Sequence, residues 1–77
     1  MTVVSIDSPA VLGRTVRAMR KQAGVRQADL AVAAGTNVRF IVDLEKGKPT
    51  CQIGKVLDVL NALGAELQLS GAGTDGD

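Results

Sequence analysis

The sequence contains no histidine, tryptophan or tyrosine, a single cysteine and a single phenylalanine. Without histidine and tyrosine, the commonest general base and a common proton donor are both absent. Cys51 cannot form an internal disulfide, and it has no histidine to complete a zinc site or to activate it as a nucleophile. We therefore expect a protein that is not an enzyme and needs no metal or cofactor, with Cys51 in a structural role.

Long hydrophobic runs are also absent. No apolar stretch approaches the roughly 20 residues of a membrane span, and the N-terminus lacks the basic start and long apolar stretch of a signal peptide. The 77 residues suffice for one small domain. We expect a soluble cytoplasmic protein with no membrane partner, whose core is aliphatic because Phe40 is the only aromatic residue.

Positive charge is concentrated in one segment of the chain. The formal net charge is +1, yet eight of the nine Lys and Arg residues lie between positions 13 and 48, beside only three acidic residues. That segment carries about +5 by formal count. Such an asymmetry suits a surface that meets phosphate while the whole chain stays near neutral, and it indicates DNA as a partner.

Apolar spacing and capping residues predict two helices in the first half of the chain. The first begins at Ser8-Pro9, an N-cap followed by a proline, and ends at Gly24. The second runs from about Gln27 to Ala34, and Gly35 supplies its left-handed stop. The residues expected to face the core are Leu12, Val16, Met19, Ala23, Val25, Leu30, Ala31 and Ala34.

Two further helices are predicted in the second half. Asn37 caps the third helix, which ends at Gly47, and Thr50 caps the fourth, which runs through about Leu63. The second and third helices together span about twenty residues and are joined by a tight turn. This arrangement is typical of a helix-turn-helix motif. The residues expected to face the core are Ile41, Leu44, Ile53, Val56, Leu57, Leu60 and Leu63.

The two ends of the chain are predicted to lie outside a helical domain of residues 8–64. Residues 1–7 form an arm with a possible strand from Thr2 to Ile6. Residues 65–70 alternate as a second strand, which would pair with the first or with its equivalent in a second copy, and we infer dimerisation through Glu66, Leu67, Gln68 and Leu69. Residues 71–77 are Gly-rich and polar with nothing to bury, so they are predicted to be a disordered tail. The G-x-G-x-x-G pattern at 71–76 does not indicate a dinucleotide site, because no helix follows it.

Helix-turn-helix geometry predicts which side chains face DNA. The second helix of the motif enters the major groove with its N-terminal residues, so we expect base contacts from Asn37, Val38 and Arg39, with Asp43 one turn further along the helix. Phosphate contacts are expected from Arg26, Gln27, Lys46 and Lys48. Arg39 could instead meet solvent or phosphate, and Gln27 could simply cap its helix. Asp43 would repel phosphate unless it accepts a cytosine amino group or pairs with Arg39, and both alternatives stay open.

Residues 12–69 resemble the Xre/Cro/C1-type helix-turn-helix repressors, the family of the phage lambda and 434 repressors. The matching residues are Arg20, Ala23-Gly24-Val25, Gln27-Ala28-Asp29-Leu30-Ala31, Gly35, Ile41 and Leu44-Glu45-Lys46-Gly47-Lys48-Pro49. The stretch KVLDVLNALGAELQLS resembles the HipB-type antitoxin branch. This resemblance implies an all-α, lambda-repressor-like bundle of four to five helices with a short C-terminal β-strand used in dimerisation.

The resemblance also implies roles and partners. Arg20 and Glu45 would form a structural ion pair between the first and third helices. The residues that face DNA would be Gln27, Asn37, Val38, Arg39 and Asp43, and Asp43 would be a base contact. Arg26 departs from the family, which usually has Ser, Thr or Asn as the cap of the second helix. The protein would be a homodimeric repressor of a palindromic DNA operator, and the HipB branch implies an antitoxin that also binds a HipA-like kinase toxin. The alternative is a module that neutralises a protein partner, with weak or nonspecific DNA binding.

Overall fold

The computed structural model describes residues 3–71, and these form four helices. They are α1 (Pro9–Gln22), α2 (Gln27–Ala34), α3 (Val38–Glu45) and α4 (Ile53–Ala62). Helix α3 packs against α1 and α2, and α2 also packs against α4. The all-α prediction is confirmed, and α2 has the predicted bounds.

The core is aliphatic, as the composition requires. Phe40 is only half-buried and packs at the margin of this core. The buried hydrophobic residues come from all four helices, and they are Val16, Leu30, Ala31, Ile41, Leu44, Val56, Val59 and Leu60.

Helix α1 approaches the end of α3 at Gly13, which the apolar pattern did not identify as a core position. A Cβ atom on Gly13 would collide with the carbonyl oxygen of Leu44 and would lie 2.7 Å from that of Glu45. Only glycine permits this approach, because side-chain carbon atoms do not come so close to backbone oxygen. Ala23, which was expected to be buried, is exposed, because α1 ends at Gln22 and Ala23 is its C-cap residue, beyond the buried positions Gly13, Val16 and Arg20.

The turn between α2 and α3 depends on Gly35. This residue has φ 73° and ψ 31°, the left-handed conformation that glycine adopts without a steric penalty. The N–H of Thr36 donates to the carbonyl oxygen of Ala31 at 2.9 Å, which closes the end of α2. Asn37 then starts α3, so two helices are joined by two intervening residues and a cap.

The start of α4 differs from the prediction. Thr50 was expected to be its cap, but the N-cap residue is Gln52 and the helix begins at Ile53. Cys51 packs against the core, and its Sγ donates to the carbonyl oxygen of Lys48 at 3.5 Å. Residues 49–50 form a turn and the helix starts only after Gln52, so the predicted cap at Thr50 is wrong.

The buried face of α4 is narrower than predicted. Val56 and Leu60 are buried as expected, and Val59 joins them. Ile53 and Leu57, which were also expected in the core, are exposed, Ile53 by 63%. The reason is that α4 is covered mainly by α2 on one side, which leaves a second apolar edge uncovered in the single chain.

The terminal segments form no strand among residues 3–71. Residues 3–7 and 65–71 have no regular secondary structure, so the strands predicted near Ile6 and at residues 65–70 are absent from the single chain. A strand needs a partner for its backbone groups, and the helices offer none. Thr2 and most of the predicted tail, residues 72–77, lie outside the described residues.

Candidate nucleic-acid interface

Helix α3 begins with a residue whose side chain serves as its cap. Asn37 has an extended backbone, and its Oδ1 accepts a hydrogen bond from the N–H of Phe40 at 2.9 Å. The cap satisfies one of the unpaired N–H groups at the helix start. The side-chain oxygen of Asn37 is thus committed to the helix, and its amide nitrogen is the group that can donate to a ligand.

The first turn of α3 presents two exposed side chains, Val38 and Arg39. The Arg39 side chain is 81% exposed. An arginine offers five N–H donors in a planar fork that matches the O6 and N7 acceptors of guanine, and a valine can pack on a thymine methyl group. These residues, which were predicted to contact bases, therefore remain accessible at the helix end that would enter a groove.

Asp43 lies between two basic side chains. Its Oδ1 is 3.4 Å from Nε of Arg39, and its Oδ2 is 3.6 Å from Nζ of Lys48. The Asp43 side chain is only 22% exposed, far less than that of Arg39. Of the two alternatives for Asp43, the structure shows the pairing with Arg39 and adds Lys48, which the sequence did not connect with this acid.

The start of α2 is capped differently. Arg26 occupies the N-cap position with φ −80° and ψ 160°, but its side chain makes no capping hydrogen bond. Its Nε and Nη2 instead donate to the Asp29 carboxylate at 3.0 and 3.3 Å. These hydrogen bonds lower the pKa of the Asp29 carboxyl below its ordinary value. Arg26 remains exposed, so it keeps a positive charge at the surface beside the helix start.

A buried polar network links α1, α2 and α3. Nε and Nη2 of Arg20 donate to the two carboxylate oxygens of Glu45 at 2.6 and 3.0 Å, and Nη1 donates to the carbonyl oxygen of Val25 at 2.9 Å. The hydrogen bond to Glu45 raises the pKa of the Arg20 guanidinium. Gln27 also enters this network, because its Nε2 donates to Oε1 of Glu45 at 3.1 Å.

Gln27 makes a contact that the sequence did not indicate, with the buried carboxylate of Glu45. Its amide was expected to reach phosphate or simply to cap α2, and instead one amide donor is directed to Glu45. The amide nitrogen carries two donors, so a second one can still meet a phosphate oxygen. Gln27 connects the surface at the start of α2 with the buried pair.

The predicted phosphate contacts at the end of α3 are exposed lysines. Lys46 is the C-cap residue of α3, and Lys48 follows the turn at Gly47. Lys55 adds a basic side chain that the sequence interpretation placed outside the basic segment. It lies in the first turns of α4, with Nζ 5.8 Å from the centre of the Phe40 ring. Its position near the start of the helix that follows the helix-turn-helix motif could have indicated Lys55 as a further basic residue of this surface.

Residues 3–71 contain neither a membrane-spanning helix nor a cluster of metal-ligating side chains. No helix there is long and apolar enough to cross a membrane. In the same range, no group of three or more His, Cys, Asp or Glu residues is placed to hold a metal ion.

Comparison with known proteins identifies the family. The family model of the helix-turn-helix domain matches residues 11–70. The HTH-type transcriptional regulator y4mF of Sinorhizobium fredii is 53% identical over 68 residues, which cover 88% of this chain and 90% of that protein.

Solved structures with a similar fold include two complexes of HipB. A variant of HipB in complex with an O2 20mer has a TM-score of 0.84 and 25% identity, with 92% of this chain and 99% of that chain covered. HipB in a HipA-HipB-O2-O3 complex has a TM-score of 0.83 at 23% identity, covering 91% and 99% of the two chains. The chain belongs to the Xre-type family of helix-turn-helix transcriptional regulators and is similar to HipB.

Proposed function

We propose that this protein is a sequence-specific DNA-binding repressor that acts as a homodimer on a palindromic operator. Helix α3 enters the major groove, and the half-sites lie about 34 Å apart, one helical turn of DNA. The observation that carries this proposal is the exposed Arg39 in the first turn of α3, behind the Asn37 cap and the Gly35 turn.

The residues divide between base and phosphate contacts. Asn37, Val38 and Arg39 contact base edges, and Asp43 lies one turn further along α3. The phosphate contacts come from Arg26, Gln27, Lys46 and Lys48, of which the three cations are exposed. Phosphate contacts add salt-dependent affinity, whereas base contacts add sequence preference.

The test compares binding to a duplex that carries the protein's own upstream promoter with binding to a scrambled duplex, at two salt concentrations. Wild type should prefer its promoter by about a hundredfold, or roughly 2.7 kcal/mol. Arg39→Ala should erase that preference. Arg14→Ala is the matched control, because it removes the same charge from an exposed position on α1, and it should leave the preference unchanged.

Dimerisation is proposed to use the C-terminal segment, residues 65–70. Leu67 and Leu69 are exposed in the single chain, as are Ile53 and Leu57 on the uncovered edge of α4. Pairing of the segment with its equivalent in a second copy would satisfy its backbone groups and cover apolar side chains. Light scattering should show a dimer for the wild type and a monomer for the double variant Leu67→Asp and Leu69→Asp. The double variant Gln22→Asp and Val32→Asp, which adds the same charge at exposed positions outside this segment, is the matched control and should stay dimeric.

We further propose that the protein is the antitoxin of a type II toxin–antitoxin operon of the HipBA kind. The similarity to HipB, including HipB in a HipA-HipB-O2-O3 complex, supports this role. The kinase toxin would be bound and neutralised, and the shared operon repressed. Co-expression with a kinase-like protein encoded next to this one should restore growth that the kinase alone arrests.

The second candidate function is a protein-interaction module with weak or nonspecific DNA binding. The uncovered apolar edge of α4, at Ile53 and Leu57, favours it because such an edge also fits a partner protein. Equal, weak binding of wild type to the promoter and scrambled duplexes, unchanged by Arg39→Ala, would select this function over the repressor.

A further inference from the structure

The carboxylate of Asp43 stands where a negative charge is unfavourable for helix stability. Asp43 lies in the last turn of α3, and Arg39 lies in its first turn. A helix favours acids near its N-terminus and bases near its C-terminus, so both charges oppose the helix dipole. The order of the pair, with the base four residues before the acid, is also the less stabilising one. The pair therefore does not serve mainly to stabilise α3.

The corresponding pair on α2 follows the usual rule. Asp29 lies in the first turn of α2, where the dipole favours an acid. Its side chain is 53% exposed, whereas the Asp43 side chain is less than half as exposed. Asp29 and Asp43 thus carry the same charge on two neighbouring helices, but only Asp43 contacts a residue in the first turn of α3.

We propose that Asp43 is a positioning residue that holds Arg39 for the recognition of guanine and does not itself contact a base. This inference rests on the proposed entry of α3 into the major groove. The carboxylate approaches Nε of Arg39, and contact through Nε leaves the Nη donors for the O6 and N7 acceptors of a guanine. A flexible arginine loses rotamer freedom on binding, and a fixed partner on its own helix reduces that loss.

Lys48 explains how an acid can be tolerated on a surface that faces phosphate. Its Nζ is 3.6 Å from the second carboxylate oxygen of Asp43, so the acid lies between two cations and the three side chains together carry a net positive charge. Because Asp43 contacts both cations, Arg39 is positioned to contact a base. Lys48 remains close by and can contact the DNA phosphate backbone. Removal of the Asp43 charge should therefore strengthen nonspecific attraction to DNA and weaken discrimination between bases.

The binding experiment uses the site that the wild-type protein selects from a random duplex library and copies of it in which each G·C pair in turn is changed to A·T. Wild type should lose affinity at one G·C pair of each half-site. Asp43→Asn should reduce the discrimination at that pair by about five- to tenfold, while its affinity for scrambled duplex rises. Asp29→Asn, which changes the net charge equally, should leave the discrimination unchanged.

A double variant separates positioning from direct contact. In the Arg39→Ala background, Asp43→Asn should cause no further loss of discrimination, because the residue being positioned is gone. A further loss at any base pair would mean that Asp43 contacts a base itself, and this would overturn the proposal. So would an Asp43→Asn protein whose discrimination equals that of Asp29→Asn.

An independent measurement needs no DNA. The ¹⁵N relaxation of the Arg39 Nε–H group should show an ordered side chain in the wild type and a mobile one in Asp43→Asn, with no change in Asp29→Asn. Equal mobility in all three proteins would overturn the proposal. If the wild type selects no site from the library, the proposed function fails together with this inference. If it selects a site and Asp43→Asn discriminates as well as wild type, only this inference fails.

Discussion

Two arginine–carboxylate pairs involve α3, and they differ in burial more than in chemistry. In the Arg20–Glu45 pair the side chains are 10% and 4% exposed, and the closest nitrogen–oxygen distance is 2.6 Å. In the Arg39–Asp43 pair they are 81% and 22% exposed, and the distance is 3.4 Å. The first pair joins α3 to α1, and the second remains within α3.

The difference teaches that burial decides what such a pair does. A buried, doubly hydrogen-bonded pair is out of reach of a ligand, and the loss of one partner would leave an uncompensated charge in the interior. An exposed pair contributes little to stability because water and salt screen it. It does, however, keep donors at the surface, where a ligand can use them.

The largest effect is expected when the buried pair is broken. Glu45→Gln removes the charge that compensates Arg20, and it should lower the free energy of unfolding by about 3 to 5 kcal/mol. Denaturant unfolding at a fixed protein concentration measures this. Asp43→Asn is the matched change in the exposed pair and should cost less than about 0.5 kcal/mol. Similar losses from both variants would show that burial does not separate the two pairs.

The close approach of α1 to the end of α3, which brings Arg20 and Glu45 together, offers the next test. Gly13→Ala places a methyl group against two backbone carbonyl oxygens, and it should cost about 1 to 3 kcal/mol. Gly54→Ala is the control, because no atom lies within 4 Å of the added Cβ on α4. That variant should be neutral or slightly more stable. Relative to wild type, the melting temperature of Gly13→Ala should fall, whereas that of Gly54→Ala should stay the same or rise slightly.

The N-cap residues of α2 and α3 provide a further test, because only the cap of α3 makes a side-chain hydrogen bond to its helix. Asn37→Ala removes the hydrogen bond to the N–H of Phe40 and should cost about 1 kcal/mol. Arg26→Ser should instead stabilise α2 by roughly 0.5 to 1 kcal/mol, because α2 lacks a side-chain cap. If Arg26→Ser were instead less stable than wild type, this would contradict the view that Arg26 contributes a positive charge at the surface and does not stabilise α2 as a cap.

The smallest effect concerns the exposed pair on α2. The Arg26 hydrogen bonds lower the pKa of Asp29 in the folded state, so their contribution is present above the unfolded pKa and is lost as pH falls through the folded pKa. Wild type should melt slightly above Asp29→Asn at neutral pH. The difference between the two melting temperatures should begin to shrink below about pH 4, near the ordinary aspartate pKa, and should disappear once the pH is below the lowered pKa of Asp29. A difference that stays constant as the pH falls through this range would contradict the assignment to Asp29.

Local signals were sufficient for most of the helical framework. Ser8-Pro9, Gly35 and Asn37 mark helix boundaries through capping and backbone conformation, which act over a few residues. For that reason the bounds of α2 and the start of α3 agree with the sequence. The predicted cap at Thr50 was wrong. The next residue, Cys51, packs against the core, and no local sequence pattern predicts that contact.

Burial and partners were less accessible to sequence reasoning. Periodicity identifies an apolar face but not how much of it a neighbour will cover, so Ile53 and Leu57 were assigned to the core although they are exposed. The link from Gln27 to Glu45 crosses 18 positions of the chain, and spacing alone could not indicate it. Lys48, the second partner of Asp43, lies beyond the turn at Gly47, so helical spacing did not indicate this contact either.

The sequence by itself determined four helices, the turn at Gly35 and the residues offered at the start of α3. These depend on interactions between neighbours along the chain, such as caps, glycine conformations and helical spacing. Only the tertiary structure decided that Gly13 lies against the end of α3 and that Gln27 joins the buried pair. Those contacts depend on how the helices pack, because they join groups that the chain brings together only when the core has formed.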